Sequence, residues 1–102
     1  ATAPEFISAL ILHFHKLHLV GLSITSGQSI GDAMKQMKPP IFFKEVNAFK
    51  TQIKNWNIAK VERALEILIE SDLLTKTKPG LGKSIIGDIV IRLATVAKKQ
   101  PN

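Results

Sequence analysis

Cysteine is absent from the 102 residues. That excludes a disulfide framework, thiol chemistry and any cysteine-based zinc site, though it leaves the compartment open. Carboxylates are scarce, eight Asp and Glu against fourteen Lys and Arg. No uninterrupted apolar run approaches the ~18 residues of a membrane-spanning helix, so none is expected. Period-two alternation is missing as well, which leaves no strand to predict. Internal repeats and low-complexity segments are likewise absent.

What is there fits one domain by length. Apolar residues make up 45% and charged residues 22%, enough of the first for a core without metals or disulfides. The net charge is +6, and twelve of the fourteen basic residues are lysines. Such a balance suits an anionic partner, nucleic acid or an acidic protein surface, yet it also suits a plain solubilising surface. The chain starts at Ala1 and enters a helical pattern by Pro4-Glu5-Phe6 without a signal peptide ahead, so an excerpt of a longer protein is expected.

Apolar residues recur with period three to four in five stretches, which predicts an all-α fold, a compact bundle of about five helices over residues 1–102. The first helix runs from about Pro4 to Ile24, with Ile7, Leu10, Ile11, Phe14, Leu17 and Gly21 on one face. Leu12, Leu19, Val20 and Leu22 add apolar surface elsewhere, so more than one side should be covered. A short second helix follows, with Ser29 as N-cap and Ile30, Ala33, Met34 and Met37 on one side. Pro39-Pro40 stops it. A third helix is predicted from about Phe43 to Lys54, with Val46, Phe49 and Ile53 inward. Asn57 caps a fourth, whose apolar stripe reads Ile58, Val61, Leu65, Leu68, Ile69 and Leu73. After the breakers Pro79 and Gly80, a fifth helix runs from about Lys83 to Lys98 on Ile85, Ile86, Ile89, Val90, Leu93 and Ala97. The last residues, Gln100-Pro101-Asn102, are expected to fray.

Three constellations invite chemistry and none carries it. "HFHKLH" holds His13, His15 and His18, but no carboxylate falls at a helpful helical spacing, so solvated or interface histidines are the better reading than a metal site. "GLGKS" at 80–84 has Gly82-Lys83-Ser84, yet the first glycine of a phosphate loop would have to be Thr77, and a helix precedes it where a strand belongs. Lys83 or Ser84 is expected near the helix cap instead. Glu62, Glu66 and Glu70 line one helix face at four-residue spacing, a solvated stripe or one side of an interface rather than a converging acid–base pair. No nucleophile–base pair is visible and no cofactor is implied, so an enzyme is not expected.

Surface is what is left. In "KPPIFFKEVNAFK" at 38–50, Phe42 and Phe43 sit among Lys38, Lys44, Lys50 and, just beyond, Lys54. Aromatics among lysines stack on unpaired bases while the lysines meet phosphates. The alternative is that both rings plug the elbow between two helices; of two adjacent aromatics, only one is expected to reach the core.

Here the sequence resembles a known family. "MKPPIFFKEVNAFKTQIKNW" at 37–56, followed by "KVERALEILIESDLLTKT" at 60–77, is similar to the C-terminal domain of the bacterial DNA polymerase III delta subunit. "HFHKLH" and "GQSIGDAMKQM" look like that family's preceding helices, and the likeness covers about residues 5–97. The resemblance implies a five-helix collar module from a cytoplasmic clamp-loader subunit, whose ATPase-like N-terminal domains, absent here, engage the sliding clamp. It implies partners in the collars of gamma/tau and delta-prime, exposed apolar patches to meet them, and no ATP hydrolysis or other catalysis by this domain. Leu12, Leu19, Ile85 and Ile91 are the candidate subunit-facing residues. By position, Phe42 matches a family aromatic that abuts primer–template DNA, with Lys38 and Lys44 as phosphate contacts and Phe43 as a packed neighbour. A second family aromatic, before the last helix, falls where this sequence has Pro79. The alternative function is a stand-alone basic helical domain that binds DNA by itself.

Overall fold

The computed structural model describes residues 2–99; Gln100-Pro101-Asn102, expected to fray, lie outside the described residues. Five helices follow one another: α1 (Ala3–Thr25), α2 (Ile30–Lys35), α3 (Val46–Asn55), α4 (Ile58–Thr77) and α5 (Gly82–Lys98). Short 3-10 turns at Phe43–Glu45 and Pro79–Leu81 lead into α3 and α5. Among the described residues there is no strand. The all-α bundle read from the period-three-to-four pattern is therefore the fold.

Local chemistry sets the boundaries. Thr2 opens α1 with a capping box: its hydroxyl accepts from Glu5 N at 3.3 Å, and Thr2 N donates to the Glu5 carboxylate at 3.2 Å. Ser29 caps α2 by accepting from Asp32 N, and Asn57 caps α4 by accepting from Lys60 N. These satisfy backbone donors that a helix start leaves without partners. After α1 the chain reverses through Gly27 at φ +108°, a backbone region that disfavours any residue with a Cβ. The start of α5 agrees with expectation to within one residue, with Lys83 and Ser84 in its first turn. The helix starts at Gly82, its N-cap is Leu81, and neither Lys83 nor Ser84 caps it. Gly82 belongs there because an added Cβ would lie 3.2 Å from Ala3 Cβ, so the N-termini of α1 and α5 approach closely.

Every other helix packs on α1. Gly21 meets Ile58 and His18 meets Glu62, so α4 runs antiparallel to α1. Lys60 Nζ donates to Ala97 O and Arg92 pairs with Glu70, so α5 returns antiparallel to α4. On another side of α1, Phe14 meets Trp56 edge-on at 4.9 Å between ring centroids, and His13 meets Phe49 at 6.2 Å. That aromatic cluster docks α3. The core collects Ile7, Phe14, Leu17, Val20, Met34, Phe49, Val61, Leu68, Ile85 and Ile89. Val20, expected outside the main face of α1, is fully buried.

The α4 stripe is the clearest departure from the sequence pattern. Leu68 and Val61 are buried as expected, but Ile69 and Leu73 are 59% and 63% exposed. The covered face is instead Val61, Ala64, Ile67, Leu68, Ser71 and Thr75. Small side chains on this face let α1 and α5 come close. Ser71 and Thr75 need no outside partner, because their hydroxyls donate to Ile67 O and Asp72 O on their own helix, each at 2.7 Å. Val90 and Ala97 of α5 are likewise exposed, and Val96 is buried instead.

The bundle is flat, 44 × 33 × 21 Å. Its thinnest dimension is two helix diameters. The radius of gyration is 14.5 Å against about 13 Å for a compact domain of this length. A slab buries less of each helix than a sphere, which is why so many large apolar side chains stay exposed. By averaged hydropathy, 1.4 over an 18-residue window, α1 is long and apolar enough to cross a membrane, although His13, His15, Lys16 and His18 interrupt it. The expectation of no spanning segment rested on uninterrupted runs. In the folded chain the other helices cover α1 on several sides.

These assignments separate two leucines that look alike in sequence. Leu68→Ala is expected to cost about 2–5 kcal/mol, as for other fully buried leucines. Leu73→Ala should stay within about 0.5 kcal/mol. Urea unfolding with unchanged m-values checks both; equal losses would return Leu73 to the core.

Candidate nucleic-acid and subunit interfaces

The connection from α2 to α3 presents its aromatics outward. Pro39 and Pro40 deny it helix, and Ile41, half-buried, packs against the core. In an extended segment neighbouring side chains point to opposite sides, so Phe42 faces solvent. A 3-10 turn then begins at Phe43, held by Glu45 N donating to Phe42 O at 2.8 Å. The turn keeps Phe43 outside as well. Phe42 is 55% and Phe43 74% exposed, and their rings rest on each other at 4.8 Å between centroids. The expectation that Phe43 packs inward is thus corrected: Ile41 and Phe49 are the residues that reach the core here, and the 3-10 turn that begins at Phe43 leaves its ring outside. Lys38 and Lys44 flank the pair, both exposed, and among the described residues neither is paired with a carboxylate.

Directly below this connection lies a cavity of about 280 Å³ between α1 and α3. Phe49 and Ile41 supply its apolar part, and His13, Lys16, Glu45 and Gln52 its polar part, with Ala48 at the margin. His13 Nε2 and Gln52 Oε1 are 2.6 Å apart across it. The "HFHKLH" histidines therefore part company: His13 bridges α1 to α3, His18 bridges α1 to Glu62 of α4 at 3.3 Å, and His15 is exposed. Among the described residues, no group of three or more such side chains is placed to hold a metal ion.

The subunit-facing candidates divide. Leu12 and Leu19 are 57% and 41% exposed on α1, and Ile91 is 69% exposed on α5. Ile85 is only 8% exposed and sits in the core, because the face of α5 that carries Ile89 also carries Ile85. Sequence reasoning missed the rest of the exposed apolar surface. Leu22 joins Leu12 and Leu19 within roughly a quarter of the α1 circumference at 3.6 residues per turn. On α4, Ile69 and Leu73 lie one turn apart, and the antiparallel register set by His18 and Glu62 brings Ile69 level with Ile11. The signal was present: these residues were simply in excess of what one buried stripe needs.

The acidic stripe of α4 is spent on partners within the chain. Glu62 meets His18, Glu66 accepts from Arg63 at 3.1 Å, and Glu70 meets Arg92 at 3.6 Å. Such exposed pairs contribute about 1 kcal/mol or less each.

No family model matches the chain, and no solved structure matches it. A curated protein of Rickettsia prowazekii (strain Madrid E), named a probable DNA polymerase III subunit delta, is 27% identical over 73 residues, or 72% of this chain. The chain spans only 23% of that relative's length. The similarity to this delta subunit thus extends over most of the chain.

Proposed function

We propose that the chain is the collar module of a clamp-loader delta subunit, acting in cytoplasmic DNA replication by subunit assembly rather than catalysis. One observation carries the reading: the exposed apolar surface of α1 and α4, with Leu12, Leu19, Leu22, Ile69 and Leu73, on a chain whose relative is named a DNA polymerase III subunit. An isolated domain gains nothing from five large apolar side chains held in water, whereas a module buried against neighbours does. Ile91 of α5 adds a second patch. The neighbours are the collars of gamma/tau and delta-prime. The sliding clamp is engaged through domains outside this chain, and ATP hydrolysis belongs to the partners.

Phe42 is the residue of this module that meets primer–template DNA. Its exposure and its neighbour Phe43, whose ring is tilted 52° against it, support this, as do Lys38 and Lys44 on either side. The second reading, a stand-alone basic DNA-binding domain, draws on the same lysines. The distribution of charge disfavours it. Lys76, Lys78 and Lys83 gather where α4 turns into α5, and Lys60 and Lys98 at the opposite end, so the basic residues form no single track.

Assembly is tested by mixing the chain with gamma/tau and delta-prime collars and following co-elution. A complex is expected, and Leu12→Asp with Leu19→Asp should abolish it while leaving the circular dichroism unchanged; no complex with the unaltered chain refutes the collar reading. Phe42→Ala in the full-length subunit should slow clamp loading on recessed primers several-fold, with thermal stability nearly unchanged. Unaltered loading would return Phe42 to a packing role.

A further inference from the structure

The cavity between α1 and α3 is lined by chemically varied groups. Phe49, 4% exposed, gives it an aromatic floor. Donors and acceptors stand together around it. Lys16 donates, Glu45 accepts, and the contact between His13 and Gln52 Oε1 leaves the Gln52 NH2 group to donate. At about 280 Å³ it falls just below the size at which pockets for drug-sized ligands begin, roughly 300 Å³. It suits one flat ring system and not a folded peptide. Its wall, Ile41, is followed in the chain by the exposed Phe42–Phe43 pair, so an aromatic platform adjoins the opening.

We propose that this cavity receives one unpaired nucleobase from a single strand, while Phe42 and Phe43 stack the next base and Lys38 and Lys44 meet the phosphates. The inference rests on the reading that this end of the module faces DNA. A base edge presents donors and acceptors side by side, which the Gln52 amide and the Glu45 carboxylate match. Stacking on aromatics in a basic setting is how single strands are held without sequence preference. An acidic peptide would satisfy the lysines but has no use for a carboxylate at the rim.

Binding of a fluorescent single-stranded oligonucleotide to the chain at low salt, followed by anisotropy, is the test. Ala48→Trp fills the cavity from its exposed margin, and Gln52→Leu removes the amide while keeping the packing. Each should weaken single-strand binding roughly 5- to 150-fold, the range for one base–aromatic contact, and leave duplex binding unchanged. If Ala48→Trp unfolds the chain, Gln52→Leu decides. Wild-type affinity in the folded variants overturns the proposal, as does a poly-glutamate peptide whose binding is lost in the same variants. Co-elution with partner collars is expected to be unaffected, so a failure of base binding and a failure of assembly are told apart.

Discussion

α1 must be apolar on several sides at once, and the structure follows from that constraint. The helix packs against α2, α3, α4 and α5, and α2 and α3 join the α4–α5 pair chiefly through it. No single amphipathic stripe can serve so many neighbours. Gly21 faces Ile58 of α4, Phe14 faces Trp56, and Ile7 and Val20 are fully buried. A central helix flanked on opposite sides gives a slab, and the slab leaves Leu12, Leu19 and Leu22 exposed on one side of α1.

The aromatic cluster connects this core to the basic surface. Phe14 against Trp56, an edge contact worth about 0.5–1.5 kcal/mol beyond burial, fixes the end of α3. Phe49 against His13 fixes its beginning. With both ends of α3 tied to α1, the segment 38–45 has little choice of path. It must bring Ile41 down to the core and then climb into Val46. Phe42 and Phe43 are outside because the geometry on either side of them is already settled.

Much of this was legible in the sequence, and the misses share a cause. Ser29 and Asn57 announce their helices because capping chemistry is local. The five-helix count follows from period alone. Ile69 and Leu73 were misplaced because hydrophobicity was followed where packing geometry ruled. Ser71 and Thr75 bury more easily than leucine between close helices, since each returns its hydroxyl to its own backbone. Phe43 differs from expectation because a 3-10 turn begins at it, which no apolar pattern announces, and Ile41 and Phe49 make the core contacts on either side. Ile85 belonged to the core because α5 has one buried face to offer, shared with Ile89. The cavity was not legible at all, since His13 and Gln52 are 39 residues apart and meet only through the docking of α3.

The exposed apolar residues form two populations with different surroundings, and this difference organises the proposed functions. On α1 and α4 they are aliphatic. Of the acids on α4, Glu62 lies 3.3 Å from His18 Nε2 and Glu66 pairs with Arg63. A surface whose charges are already paired desolvates at lower cost, which suits burial against another protein. At 38–44 the apolar residues are aromatic, and the charges beside them, Lys38 and Lys44, are unpaired among the described residues. Unpaired cations beside π faces suit a polyanion with flat rings. The net charge of +6 says little by itself. What separates the two surfaces is which lysines and glutamates the fold has left without a partner: the α4 acids have partners on α1, α5 and α4 itself, while Lys38 and Lys44 sit on a connection with no carboxylate paired to them among the described residues.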